Sequence, residues 1–143
     1  MKTNVPPDRI ISILAKIIRS SNKWIEEELH QAGVEGLAPS HGDILFRLYK
    51  SESLQMNQIA SLIRRDKSTV TVLVNKLIKL GYVSKQQDTS DSRISHICLT
   101  PKGKELEPIY EDISRRLIDK VYENFNPDEK EQLMNLLSKI ELL

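Results

Sequence analysis

The chain carries a single cysteine, Cys98, in 143 residues. That excludes an internal disulfide framework and suits a reducing cytoplasm. Long apolar runs are missing too: nothing approaches the ~18–20 apolar residues of a membrane span. The opening MKTNVPPDRII lacks the apolar core of a secretory signal. The five glycines form no phosphate-binding loop. No nucleophile–base pair stands near a glycine turn, and there is no obvious carboxylate dyad, so the sequence offers no enzyme site. His30, His41 and His96 fall on different elements, without metal-like spacing to one another or to Cys98. They read as unpaired surface or interface histidines, and neither a metal nor a cofactor is expected.

What is present is ordinary for a globular chain: 39% hydrophobic and 29% charged residues. The length suits one domain or two small interlocked ones. The formal net charge of +1 conceals a segregation. Residues 1–36 are neutral, 37–100 carry +4 and 101–143 carry −3, counting Lys and Arg against Asp and Glu. A basic middle between neutral and acidic ends points to a polyanionic partner for the middle segment.

Apolar spacing lays out mostly helices. Asp8 is the expected cap of a first helix whose apolar positions are Ile10, Ile13, Leu14, Ile17, Ile18, Ile25 and Leu29, with Gly33 as its end. Pro39 opens a second helix whose buried stripe is Ile44, Leu45, Leu48 and Tyr49. A short third helix spans roughly Met56 to Ile63. Asp66 caps a fourth, which buries Val70, Leu73, Val74, Leu77 and Leu80 before Gly81. Val83–Gln87 and Ile94–Leu99 read as a hairpin around a turn at 88–93. Thr100-Pro101 opens a fifth helix running to about Asn124, in which Pro108 should kink or break the backbone. Asn126-Pro-Asp-Glu129 caps a last helix carrying Leu133, Leu136, Leu137 and Ile140. Helices two to four plus the hairpin make a winged helix-turn-helix, in a fold that is mainly α with a small β-wing.

The fourth helix carries the functional signal. At about 100° per residue, the face opposite its apolar stripe holds Ser68, Thr71, Val72, Asn75, Lys76 and Lys79. Hydroxyls and lysines suit phosphates, Asn suits an adenine edge and Val a thymine methyl. Lys67, Ser68, Thr69 and Lys76 are the expected phosphate ligands, with Arg64, Arg65 and Lys67 clustered at the helix entry. At the hairpin tip, Asp91 stands two residues before Arg93. A carboxylate there stiffens a long side chain, and a pre-oriented arginine suits a narrow minor groove. Arg93 is the expected wing contact and Asp91 its support.

These residues also carry a family resemblance. LIKLGYVSKQQDTSDSRISHICLTPKG, residues 77–103, resembles the signature of the MarR family of bacterial transcriptional regulators. Asp91 and Arg93 match its wing D-x-R, and Leu99, Thr100 and Gly103 match its L-T-x-x-G. DKSTVTVLVNKLIKLGYV, residues 66–83, is similar to its recognition helix, and the flanking helices resemble its dimerisation region. The resemblance implies a homodimer on a pseudo-palindromic operator in double-stranded DNA, usually a repressor, released by a small phenolic or other aromatic effector or by an oxidant. Ser92 and Val72 stand where arginines are common in the family, and Arg64-Arg65 replaces a turn that is usually Gly plus an apolar residue.

The sequence therefore predicts a cytoplasmic homodimer with a DNA-binding domain at 37–100 and a helical dimerisation region formed by 1–36 and 101–143, whose apolar stripes are too extensive for one small domain to cover. The family's peroxide sensors resemble each other in a cysteine near the first helix, and this chain has none there. Cys98, out of phase with Ile97 and Leu99, belongs on the less buried face of the wing. Trp24 and Tyr49 are candidates for a ligand cleft, although core packing is the commoner role of such aromatics. The rival reading is a winged-helix module that binds protein without sequence-specific DNA binding.

Overall fold

The computed structural model describes residues 4–143. After a 3-10 turn at Pro7–Arg9, α1 spans Ile10–Gln31, α2 Pro39–Tyr49, α3 Met56–Ile63 and α4 Lys67–Lys79. A hairpin of β2 (Val83–Gln87) and β3 (Ser95–Leu99) follows, then α5 (Pro101–Glu105), α6 (Glu107–Val121) and α7 (Pro127–Leu137). A two-residue strand, β1 (Leu54–Gln55), precedes α3 and makes β3 the centre of a three-stranded antiparallel sheet, in the order β1-β3-β2. Leu54 pairs with Ile97, and Val83 with Leu99. The sequence showed no sign of β1, because two residues carry no periodicity of their own and exist as a strand only through β3.

The expected caps hold where the side chain is short and polar. Asp66 accepts the backbone N–H of Thr69, Thr100 that of Gly103, and Asn126 that of Glu129 in a reciprocal box. Asp8 is a correction. It lies inside the 3-10 turn, and Arg9 occupies the N-cap of α1 without a side-chain bond. Pro7, with its fixed φ, starts the turn earlier than the acid predicts. Pro108 resolves the expected fifth helix into two. The backbone breaks at Leu106, and Pro108 falls in the first turn of α6, where its missing N–H is tolerated. That second helix ends at Val121, short of Asn124, and Ile140 lies beyond the end of α7.

The core is formed by Leu29 of α1, Ile44, Leu45 and Leu48 of α2, Ile59 of α3, Val70, Val74 and Leu77 of α4, Val83 and Ile97 of the sheet, and Ile113 of α6. Burying each such side chain contributes roughly 1.5–3 kcal/mol. This core fastens α4 to the scaffold by one face alone. Trp24 and Ile25 of α1 and Ile109 and Tyr110 of α6 pack against it, while α7 contributes no buried residue. Ile10, Ile11, Ile13, Ile17 and Ile18 stay exposed on α1, as do Ile118 and Val121 on α6 and Met134 and Leu136 on α7. Arg116 of α6 reaches Glu28 of α1 at 2.5 Å and lies over the Trp24 ring, so these two helices are clasped together.

Candidate nucleic-acid interface

The entry to α4 is a tight turn built on an unusual residue. Arg64 caps α3 at φ 54°, ψ 48°, the left-handed region that glycine usually fills. This is the position the resemblance flagged, and the backbone keeps the glycine conformation with an arginine in place. The Arg65 N–H then closes on the Ala60 carbonyl at 3.1 Å. Asp66 gathers the first turn of α4, accepting from Thr69 N–H at 3.1 Å and from the Ser68 hydroxyl at 3.1 Å. Hydrogen bonds from Thr69, then Ser68, hold its carboxyl below the usual carboxylate range.

Lys67, Ser68, Thr69, Thr71, Val72, Asn75, Lys76 and Lys79 are all exposed. Val72 is 69% exposed, an aliphatic side chain in the middle of a polar face. The Thr71 hydroxyl donates to the Lys67 carbonyl at 2.8 Å. The Lys76 chain lies beside Gly36, in the loop before α2. At the other end of α4, Lys102 donates to the Leu80 carbonyl at 2.8 Å and sits over the Tyr82 ring. A cation there satisfies a helix C-terminus.

The wing presents Arg93 in a fixed pose. Its Nε donates to Asp91 Oδ1 and its Nη2 to Asp91 Oδ2, both at 3.0 Å, while its backbone N–H donates to the same Oδ1 at 3.0 Å. The Arg93 side chain remains 88% exposed. The Asp91 carboxyl is held below its ordinary range by the Arg93 guanidinium first. The loop behind it is ordered by Asp88. Asp88 Oδ2 accepts from Ser90 N–H (3.0 Å), Ser90 hydroxyl (2.5 Å) and Asp91 N–H (3.0 Å). Its Oδ1 lies 3.0 Å from His96 Nε2. An Asp followed two residues later by Ser at a turn was the signal available for this.

The three histidines are a further correction, since each has a partner. His30 pairs with Glu35, and His96 with Asp88. His41, 4% exposed, accepts the Ala38 N–H on Nδ1 at 2.9 Å, closing the N-terminus of α2. They lie too far apart in the chain for spacing rules to pair them with one another, and their partners are acids or backbone. Among the described residues no group of three or more His, Cys, Asp or Glu is placed to hold a metal ion. Nor is any helix long and apolar enough to cross a membrane.

A cavity of about 790 Å³ opens between α1, α2 and α6, with Ile25, Asp43, Tyr49, Tyr110 and Ile113 in its wall. Trp24 and Tyr49 both pack against the core, and Tyr49 also stands in the cavity wall. The Tyr49 hydroxyl donates to the Gly103 carbonyl at 3.3 Å. The Tyr110 hydroxyl is buried without a hydrogen-bond partner, alone in this among the described side chains. Burial pushes both phenols above their ordinary acidity range.

The model of the MarR family matches residues 37–95, the helix-turn-helix and most of the wing. The HTH-type transcriptional regulator SarZ of Staphylococcus saprophyticus is 30% identical over 98 residues, 67% of each chain. The uncharacterized HTH-type transcriptional regulator YkoM of Bacillus subtilis is 29% identical over 133 residues, 92% of this chain and 86% of the relative. A MarR protein from Peptoclostridium difficile superposes with a TM-score of 0.82 at 25% identity, over 97% of this chain and 89% of that one. With its left-handed turn, exposed fourth helix and arginine-tipped wing, the chain belongs to the MarR family of winged helix-turn-helix transcriptional regulators.

Proposed function

We propose that the protein is a homodimeric repressor that binds a pseudo-palindromic operator and is released by a small phenolic or other aromatic effector. Residues 37–100 act as the DNA-binding unit. α4 enters the major groove, with Asn75 and Val72 on base edges. Lys67, Ser68, Thr69, Thr71, Lys76 and Lys79 serve the backbone phosphates, and Arg93, supported by Asp91, enters the minor groove. The observation that carries this reading is the exposed aliphatic Val72 within a hydroxyl, amide and lysine face. Beside hydroxyl, amide and lysine groups that suit phosphates and base edges, this valine offers the apolar contact that a thymine methyl accepts.

Segments 1–36 and 101–143 serve as the dimerisation region. Support comes from the exposed isoleucines of α1 and the exposed apolar residues of α6 and α7, too many for a monomer surface to leave wet. The effector reading rests on the cavity against α2. An aromatic molecule fits its apolar wall, against Ile25, Tyr49 and Ile113.

The test is a titration of duplex DNA by the protein at several salt concentrations, with sedimentation alongside. The expected result is a dimer whose affinity falls by ~0.9 log unit per log salt for each phosphate neutralised, on half-sites about one helical turn apart, ~34–36 Å. A monomer at micromolar concentration, or a flat salt response, would refute it. Failure to retain any fragment of the source genome would favour the protein-interaction module instead.

A further inference from the structure

We infer that Asp88, anchored by His96, is the positioning residue of the wing and sets the pose of the Arg93 guanidinium without bonding to it. The inference rests on the reading that Arg93 meets DNA. Asp91 holds the guanidinium, but something must hold Asp91. The loop from Asp88 to Ile94 contains no glycine and no proline, and its backbone closes through Asp88 N–H to Ile94 O (2.9 Å) and Ile94 N–H to Asp91 O (3.0 Å). The Asp91 N–H points inward to Asp88 Oδ2, as does the Ser90 N–H. An ionised carboxylate only accepts, so His96 donates its Nε2 proton to Asp88 Oδ1.

His96 belongs to β3, the central strand, and is paired with Gln55 of β1 on one side and Gln86 of β2 on the other. The fixed end of the relay is therefore the best-supported strand of the sheet. Exposure rises outward along the chain of contacts: the side chains of Asp88 and His96 are 26% and 28% exposed, and that of Arg93 is 88%. Hydrogen bonds from Ser90 first and His96 second keep the Asp88 carboxyl well below the usual carboxylate range, so it stays charged. Two carboxylates at a tip that meets a polyanion repel it. Their gain must come through order: an arginine already held in one pose loses less rotamer freedom on entering the groove.

A double-mutant cycle tests this. The probe is a duplex recovered by selecting source-genome fragments on the wild-type protein, with affinity read by anisotropy and folding by thermal melting. Asp88→Ala is expected to weaken binding roughly three- to tenfold, with the melting temperature almost unmoved. In an Arg93→Ala background the same change should alter affinity less than about twofold, because there is no guanidinium left to position. Asp88→Asn keeps an acceptor for the Ser90 and Asp91 N–H groups and should recover most of the loss. His96→Leu should reproduce part of it. Should Asp88→Ala not fold, His96→Leu runs the same cycle, with a loss in the Arg93 background that shrinks in the Arg93→Ala background. Equal losses in both backgrounds, or Asp88→Ala binding as tightly as wild type, would overturn the inference while leaving the wing contact standing. An Arg93→Ala protein that binds like wild type would overturn the wing contact, and this inference with it.

Discussion

Gly103 presses its bare α-carbon against the Tyr82 carbonyl: a Cβ built on Gly103 would lie 2.0 Å from that oxygen. The same carbonyl accepts the Thr100 N–H at 3.0 Å, and the Thr100 hydroxyl donates to the Gly81 carbonyl at 2.5 Å. The end of α4, the end of β3 and the start of α5 therefore meet at one point with no room for a side chain. Gly103→Ala is expected to destabilise the fold by about 1–3 kcal/mol or more, read as a lower melting temperature. An unchanged melting temperature would mean that the junction opens more easily than this packing allows.

The wing pair makes a prediction with an unusual sign. Arg93→Ala should weaken operator binding strongly while leaving dimer and melting temperature nearly unchanged, since the side chain buries little. Arg93→Lys should recover only part of the loss, because an ammonium cannot repeat the two-pronged contact with Asp91. Asp91→Ala should also weaken binding, although it removes a negative charge near DNA. Tighter binding by Asp91→Ala would reduce the pair to a surface ion pair of little worth.

On α4, base reading and phosphate positioning should separate. Asn75→Ala is expected to cost about 1–3 kcal/mol and to relax preference at one operator position. Lys79→Ala should weaken all sequences alike and lower the salt slope by about one contact. Selection of bound fragments by each variant distinguishes the two, and a uniform loss in both would remove Asn75 from direct readout.

His41 gives the fold an acid sensitivity. Burial first, and the Lys76 charge second, lower its pKa in the folded chain. The unfolded chain takes up this proton near pH 6.5, and the folded chain only at lower pH. The unfolded state thus binds more protons between those two values, and stability falls as pH drops through that window. His41→Gln retains an acceptor for the Ala38 N–H. Its melting temperature should decline less steeply than wild type between pH 7 and pH 5, and parallel declines would assign the acid loss elsewhere.

Cys98 should not be the regulatory switch. It is a half-buried strand residue opposite Ser84, with no second cysteine in the chain to resolve an oxidised sulfur. Cys98→Ser should leave DNA binding and its response to an inducer nearly intact, and loss of peroxide-triggered release in that variant would reverse the assignment.

Local rules were legible in the sequence. Asp66, Thr100 and Asn126 cap the helices that their short polar side chains announced, and the period of Ile44, Leu45 and Leu48 marked a face that is indeed buried. The i,i+2 relation of Asp91 and Arg93 was readable because two residues in a tight turn are neighbours wherever the turn lies. Each of these depends on residues within about four positions of one another, a reach that helix and turn geometry fix in advance.

Tertiary structure decided the rest. Leu54–Gln55 is a strand only because Ile97 and His96 lie opposite it. Gly103 reads in sequence only as the glycine of L-T-x-x-G, and the reason for it lies in the Tyr82 carbonyl 21 residues earlier. Arg64 takes a left-handed conformation, φ 54°, that its side chain does not announce. His41 is 4% exposed in the packed fold, and His96 meets Asp88 across the hairpin, eight residues away. A sequence specifies a local backbone through short-range sterics and hydrogen bonds. Which polar groups end up dry, and which distant partner each must then find, is set by the packing of the whole chain.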